Sequence, residues 1–373
     1  MSERASRGNA SGPAMPAGPW VLVVGMHRSG TSAVTGALGH LGLSVPVRQD
    51  RWDATEDNPD YWESAALGLF NEALLERLEG GWDGPPEYEP GWESDPVLAG
   101  DGLGDPAVAA STAFPRTGPV VWKDPRVCLL LPYWLARLPG PVAAVFIWRL
   151  PLAVARSLRA RDGMRLSDGV ALWERYNRAA LSGLIGVDTF VIPYESIVAD
   201  PAGRLSELAH WLGELPQFAA YAQGWDFAAA SAAISPHLQR QRDGGAAALL
   251  LDEQRSLVAH LESLEGPHWP LHRSHPSDES AWATALLGDR RRVVVLNRVG
   301  QGLRVQLEEA RGEVLRRGAD LERTLAELAS TKDALATQEQ QSAQMEASTS
   351  WRITGPLRRL GGLRHPKQAP PVG

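Results

Sequence analysis

The sequence is poorest in cysteine and lysine. Cys128 is its only cysteine, so no intramolecular disulfide can form and the chain must hold itself together by packing. Of 37 basic residues only three are lysines, Lys123, Lys332 and Lys367; such a bias, in an alanine-rich chain, is the mark of a GC-rich genome. It nevertheless singles out Lys123, which stands alone before residue 330. Positive charge is also in deficit. A net charge of −7 excludes a nucleic-acid surface as the main business, because neutralising phosphates needs a basic face. No apolar run reaches the roughly 18 residues of a membrane-spanning helix, and residues 1–18, rich in Gly, Ala, Ser and Pro, lack the apolar core of a signal peptide. The expectation is a cytoplasmic protein with a disordered start. What the chain has is bulk: 373 residues, 44% of them hydrophobic, hold one large domain or a domain with appendages.

The stretch that organises the rest is Trp20 to Pro46. Val21 to Val24 form an apolar, β-branched run that stops at Gly25, and a helical period begins near Thr31 and passes through Val34, Leu38 and Leu41. Strand, glycine turn and helix in direct succession aim backbone N–H groups and a helix's positive end at one point, where a phosphate normally sits. The turn reads Gly25, Met26, His27, Arg28, Ser29, Gly30, Thr31, Ser32. Its glycines have P-loop spacing, but Thr31 stands where a P-loop needs lysine, and the cation has moved into the loop as Arg28. That departure counts against a triphosphate site. The bland alternative is strand–turn–helix packing with no ligand; the cation and the hydroxyls of Ser29, Thr31 and Ser32 favour an anion.

HRSGTS after a hydrophobic strand resembles the 5′-phosphosulfate loop of sulfotransferases that use PAPS (3′-phosphoadenylyl sulfate). The resemblance implies a three-layer α/β/α fold with a central parallel sheet, PAPS as co-substrate, no catalytic metal, and loop contacts from Gly25, His27, Arg28, Ser29, Gly30, Thr31 and Ser32. It also implies partners downstream. Asn58-Pro59-Asp60-Tyr61-Trp62-Glu63 matches an NP-x-[GY]-[YFW]-E segment of related enzymes, in which Glu63 would be the general base. The competing reading makes Asp60 and Glu63 a capping box on the helix through Leu67, Phe70, Leu74 and Leu78.

Gly80 to Pro119 shows no period and reads as a long surface insertion, with Trp82, Tyr88 and Trp92 either lining an acceptor cleft or tucking the loop onto the core. Val120 to Trp122 is a short strand ending in Lys123-Asp124-Pro125-Arg126, polar residues at the sheet edge where open α/β folds bind ligands. Lys123 can face the crevice that Arg28 faces, and by the resemblance the two would be catalytic, neutralising charge on the transferring group and the leaving oxygen. Asp124 is a second base candidate, or else a cap or a partner for Arg126. The histidine that some PAPS enzymes carry two residues after this lysine is absent. Leu129 to Leu138 is the following helix.

Val142 to Trp148 is a buried-strand run ending in Arg149; Pro151 opens a helix, and Ser157 lies eight residues after Arg149. A strand-end arginine and a serine in the second helical turn both reach one phosphate. This Arg-x7-Ser spacing resembles the 3′-phosphate element of PAPS sulfotransferases; the structural alternative pairs Arg149 with a carboxylate. Leu172 to Ile185 is amphipathic, Phe190 to Pro193 is a further strand, and Ala202 to Leu212 is a helix. Arg240 or Arg242, in a late basic loop, would cover the 3′-phosphate by the same resemblance.

The resemblance ends near residue 245. A helix from Leu250 to Leu264 follows, then a Pro/His/Ser stretch over Gly266 to Asp278. Leu307, Val314, Leu321, Leu328 and Leu335 recur every seven residues and propose a long helix or coiled coil over 300–347, with Arg311, Gly318 and Lys332 spoiling a second row. Ser350 to Arg359 resembles a tail of bacterial cell-surface glycan enzymes; its Trp351 and arginines suit a membrane interface, a disordered basic tail being the alternative. The expected plan is thus a disordered 1–18, a sulfotransferase domain over 19–265, a linker over 266–299, a coiled coil over 300–347 serving homo-oligomerisation, and a basic tail over 348–373. The expected partner is an acceptor glycan, glycolipid or small molecule. Two rivals stand beside it, a P-loop kinase or NTPase and a non-catalytic scaffold.

Overall fold

A computed structural model describes residues 14–53, 62–99, 103–233, 249–272 and 278–355. Contacts divide the chain into a unit ending at Asn297 and a second beginning at Arg298. The first is an α/β unit of the expected class. Strand β1 (Trp20–Val24) leads into α1 (Thr31–Leu41), then α2 (Ala65–Arg77) and α3 (Pro106–Ala113); β2 (Val120–Lys123) leads into α4 (Val127–Leu135). Strand β3 (Val142–Trp148) is followed by α5 (Pro151–Asp162) and α6 (Leu166–Gly183), and β4 (Asp188–Pro193) by α7 (Tyr194–Ala199), α8 (Pro201–Glu214), α9 (Phe227–Ala232) and α10 (Asp252–Ser263). Strand β5 (Gly266–His268) closes the sheet, and α11 (Ala281–Ala347) and α12 (Thr349–Ile353) end the described chain.

The sheet order is β2-β1-β3-β4-β5, the first four strands parallel and β5 antiparallel to β4. Each parallel strand is an almost continuous apolar run because both faces are covered. Side chains alternate across the sheet. Trp20, Leu22, Val24, Trp122 and Phe146 join the core beneath α4 and α6, whereas Val21, Val23, Val121, Val145 and Ile147 join the core beneath α1 and α8. Three layers result. Strand β1 lies between β2 and β3, so the chain reverses direction of travel across the sheet between β1 and β3. A crevice opens at the carboxyl ends of strands at such a reversal, and the glycine loop after β1 and Arg149 after β3 both stand there.

Several boundaries differ from the expected ones. Helix α2 starts at Ala65 with Ser64 as its cap, the hydroxyl accepting from the Leu67 amide at 3.0 Å. Glu63 therefore lies before the cap, and the Asp60–Glu63 capping box does not describe this helix; Asp60 itself falls outside the described residues. Helix α6 begins at Leu166, earlier than its apolar stripe, and α4 ends at Leu135. Within the stretch read as a linker over 266–299, the described residues include a strand, β5, and the start of α11. Gly266, Pro267 and His268 pair with Val191, Phe190 and Thr189. Proline fits this position because the strand is at the edge of the sheet, where a missing N–H costs no ladder bond. Glu174, fully buried on α6, then accepts from the Ser280 amide and hydroxyl, both at 2.8 Å, and from Gln254 at 3.2 Å. Ser280 in turn caps α11 at the Ala283 amide, so one buried carboxylate fixes where that helix begins.

Candidate functional site

The glycine loop takes its shape from two glycines and one strained residue. Gly30 caps α1 in the left-handed region at φ 91, and a Cβ there would meet the Tyr194 ring. Gly25 passes so close to β3 that a Cβ would meet the Ile147 carbonyl at 2.3 Å. Arg28 also has a positive φ of 68, a conformation that costs a non-glycine residue energy and recurs at functional sites. That turn sends its side chain back across the crevice to α5, where Nε donates to Ser157 Oγ at 2.8 Å. Arg149 donates to the Arg28 carbonyl at 3.2 Å and lies over the Tyr194 ring, 4.6 Å from its centroid. Its own carbonyl accepts from the Trp173 indole at 2.8 Å. The structure thus brings Arg28, Arg149 and Ser157 to one place.

Arg149 is buried, and burial pushes its guanidinium below the ordinary arginine range, opposed but not cancelled by Tyr194 and Glu195. An anion arriving here would relieve that cost. Ser29 Oγ, wholly buried, makes no hydrogen bond among the described residues. Helix α1 likewise has no side-chain cap on its first turn. A buried hydroxyl without a bond and a buried guanidinium whose charge is disfavoured by burial fit an anionic ligand.

A second group gathers at the end of β2. Lys123, 2% exposed, donates to Ser32 Oγ at 3.1 Å and is ion-paired with Glu63. Asp124 beside it is committed: one oxygen accepts from the Arg126 amide at 2.9 Å and from the Arg126 guanidinium, the other from Asn71 at 2.9 Å. Asn71 also accepts from the Trp134 indole. Asp124 is therefore in the cap-and-pair role, setting Arg126, which reaches on to Glu72. Glu63 faces a cavity of about 400 Å³ that Asp124 does not line. Two indoles, Trp52 and Trp82, three carboxylates, Asp53, Glu63 and Glu72, and the cations Arg126 and Arg161 form its walls with His27.

His27 is the loop residue that turns toward this cavity. Its ring lies 4.7 Å from Trp82 and 5.9 Å from Tyr176, and its Nε2 is buried without a hydrogen bond among the described residues. Burial first, then the charges of Arg126, Arg161, Lys123 and Arg28, hold its pKa well below the usual histidine range. His27 is accordingly neutral at pH 7. Arg161 sits 5.4 Å above the Trp82 ring and pairs with Asp162. Trp82, Tyr88 and Trp92 pack onto the core, and of the three only Trp82 also lines the cavity.

Every predicted loop residue, with Glu63, Lys123, Arg149 and Ser157, converges on one edge of the sheet; Arg240 and Arg242 fall outside the described residues. Sequence reasoning did not assign Glu72, Arg161, Trp52 or Asp53 to the site. The signal for Arg161 was present, since it lies on the same helix face as Ser157, one turn further on. Among the described residues no group of three His, Cys, Asp or Glu side chains could hold a metal ion, and no helix is long and apolar enough to cross a membrane.

No family model matches the sequence, and no curated protein matches it significantly. Among solved structures, the sulfotransferase domain of the Synechococcus PCC 7002 olefin synthase is 15% identical, covering 73% of this chain and 94% of that one at a TM-score of 0.34. The sulfotransferase STF1 of Mycobacterium tuberculosis H37Rv is 15% identical, covering 61% and 76% at 0.35, and the sulfotransferase domain from the curacin biosynthetic pathway is 16% identical, covering 74% and 98% at 0.32. TM-scores this low carry no argument of their own. The functional reading rests on the residues just described.

Proposed function

We propose that this protein is a sulfotransferase that moves a sulfuryl group from PAPS to a hydroxyl or amine of an acceptor. The observation that carries the reading is the pair of polar groups joined by one loop: Arg28, Arg149 and Ser157 at one end, Lys123, Ser32 and Glu63 at the other. A ligand with an anion on its ribose and a second anion at the reacting centre uses both. Bound there, PAPS would supply the sulfuryl group and leave as PAP (3′,5′-phosphoadenosine).

Within that scheme Arg149 and Ser157 hold the 3′-phosphate, and Arg28, which touches Ser157, serves that phosphate as well as the loop. Backbone amides from Gly30 to Ser32, with the Thr31 hydroxyl, hold the 5′-phosphosulfate. Lys123 neutralises charge on the leaving oxygen and keeps the Glu63 carboxylate in position. Charge grows on oxygens during such a transfer, so cations and N–H groups fixed beforehand supply most of the stabilisation. Glu63 lines the cavity and takes the acceptor proton on its carboxylate. Asp124 is the weaker base, since both its oxygens are already occupied. Indoles beside carboxylates suit the faces and hydroxyls of a sugar, so the acceptor we favour is a glycan or glycolipid.

Incubation of the purified chain with radiolabelled PAPS and acceptor fractions from cell extracts tests the proposal. Metal-independent transfer of label to a carbohydrate fraction, slowed at least a hundredfold in Glu63→Gln, is expected. ATP-dependent phosphorylation that needs magnesium, with no sulfate transfer, would replace the proposal with a P-loop kinase.

A further inference from the structure

Residues 281–297 of α11 belong to the first unit, and they lie against the turn that carries Trp82, an indole in the wall of the cavity that Glu63 faces. Arg290 holds that turn. Its Nε donates to the Asp83 carbonyl at 2.6 Å, one terminal nitrogen to the Asp83 carboxylate at 2.6 Å, and the other to Asp168 at 3.0 Å. Asp168 is 2% exposed on α6, and about two turns along that helix the Tyr176 hydroxyl donates to the Trp82 carbonyl at 2.7 Å. The two carbonyls that follow the Trp82 side chain, its own and that of Asp83, are thus both tied to α6, the first directly and the second through Arg290.

The rest of the turn is equally confined. The Gly81 amide donates to the Gly84 carbonyl at 2.9 Å, and a Cβ on Gly84 would meet the Arg291 Cα at 2.9 Å. Arg175 on α6 donates to the Pro86 carbonyl at 3.1 Å and pairs with Glu279, just before α11 begins. On the indole itself the contacts are of another kind: the His27 ring at 4.7 Å and the Arg161 guanidinium at 5.4 Å. Ring contacts are weak and permit sliding, whereas a guanidinium fork fixes its acceptors in position and direction.

We propose that Arg290 is a positioning residue of the acceptor cavity: it sets the Trp82 indole against His27, and the first turns of α11 thereby complete the wall on which an acceptor packs. That the cavity is the acceptor's rests on the sulfotransferase reading; the placing of Trp82 does not. An indole face offers apolar surface to a sugar ring. A displaced Trp82 therefore weakens the acceptor and spares the nucleotide, whose proposed contacts are Arg28, Arg149 and Ser157.

Two measurements on the full chain test this. In protein labelled with carbon-13 histidine, the Trp82 ring current displaces the His27 Cε1–H resonance, which is assigned by its loss in His27→Gln. In Arg290→Gln that resonance should move toward its position in Trp82→Ala. Label transfer from PAPS should then need roughly ten- to a hundredfold more of the carbohydrate fraction for half-saturation, with kcat little changed and PAP affinity unchanged. Arg290→Gln leaves the buried Asp168 with Arg165 as its ion-pair partner. Asp83→Ala strands no buried charge, since the Asp83 side chain is partly exposed and Arg290 keeps Asp168; it should move both readouts the same way, less far. A His27 resonance unmoved in both variants would overturn the placing of Trp82. A resonance that moves with half-saturation unaltered would overturn the role in acceptor binding. Absence of sulfate transfer by the unsubstituted chain, with the resonance still responding, would strike the acceptor reading and leave the placing of Trp82 standing.

Discussion

The two ends of the glycine loop carry different cations, and the proposed transfer would use them for different work. At the anchoring end two guanidiniums, Arg28 and Arg149, meet a hydroxyl on α5. Their planar forks suit an anion that must be held in one orientation and not altered. At the reacting end stands Lys123, the only lysine before residue 330, in contact with Ser32 and Glu63. An ammonium is a compact point charge that follows a moving oxygen. In a chain so short of lysine, arginine serves wherever a fixed charge suffices, and lysine stands beside the candidate base.

Substitutions separate the two ends. Glu63→Gln should lower kcat by roughly 10²–10⁴, the usual worth of a general base, with PAP affinity unchanged. Lys123→Met should cost roughly 10²–10³ in kcat, the worth of one transition-state donor, and leave PAP binding within a few-fold. It also strands the buried Glu63 carboxylate, so a drop in melting temperature should accompany it. Arg149→Ala should do the opposite, weakening PAP by roughly ten- to a hundredfold, as loss of a charged hydrogen bond to phosphate does, with less effect on turnover of saturated enzyme. If Lys123→Met and Arg149→Ala shifted kcat and PAP affinity alike, the division of labour would be wrong.

The smallest expected effect is on stability. His27 has its pKa lowered in the folded chain, so below the unfolded value of 6.5 the unfolded state binds a proton that the folded state refuses. Stability from this residue is present above pH 6.5 and falls as pH drops, by up to about 1.4 kcal/mol per pH unit. Urea melts between pH 7 and pH 5 should show that slope, and His27→Gln should flatten it. PAP should lessen it only slightly, since burial, the main cause, stays and an anion offsets only Arg28 and Lys123, the weakest of the contributing cations.

The sequence carried the frame of this site better than its interior. Strands β1, β3 and β4 were legible because burial on both faces leaves an unbroken apolar run, and a strand end then names its own crevice residues, Lys123 and Arg149. The Arg28–Ser157 contact was not, because it spans 129 positions and depends on a positive φ at an arginine, which no composition signals. The same holds for the pairing of Glu63 with Lys123 across 60 positions. Trp52, Asp53 and Trp82 come from segments without period, where only tertiary placement says which ring faces a cavity. Strand β5 was missed since Gly-Pro-His reads as a linker until its edge position is known.

Binding of PAP to the purified chain, followed by calorimetry in the presence of a chelator, tests the central claim most directly. The account predicts a dissociation constant of about micromolar, unchanged by added magnesium and weakened roughly ten- to a hundredfold in Arg149→Ala. No PAP binding without metal, with ATP binding when magnesium is present, would contradict it.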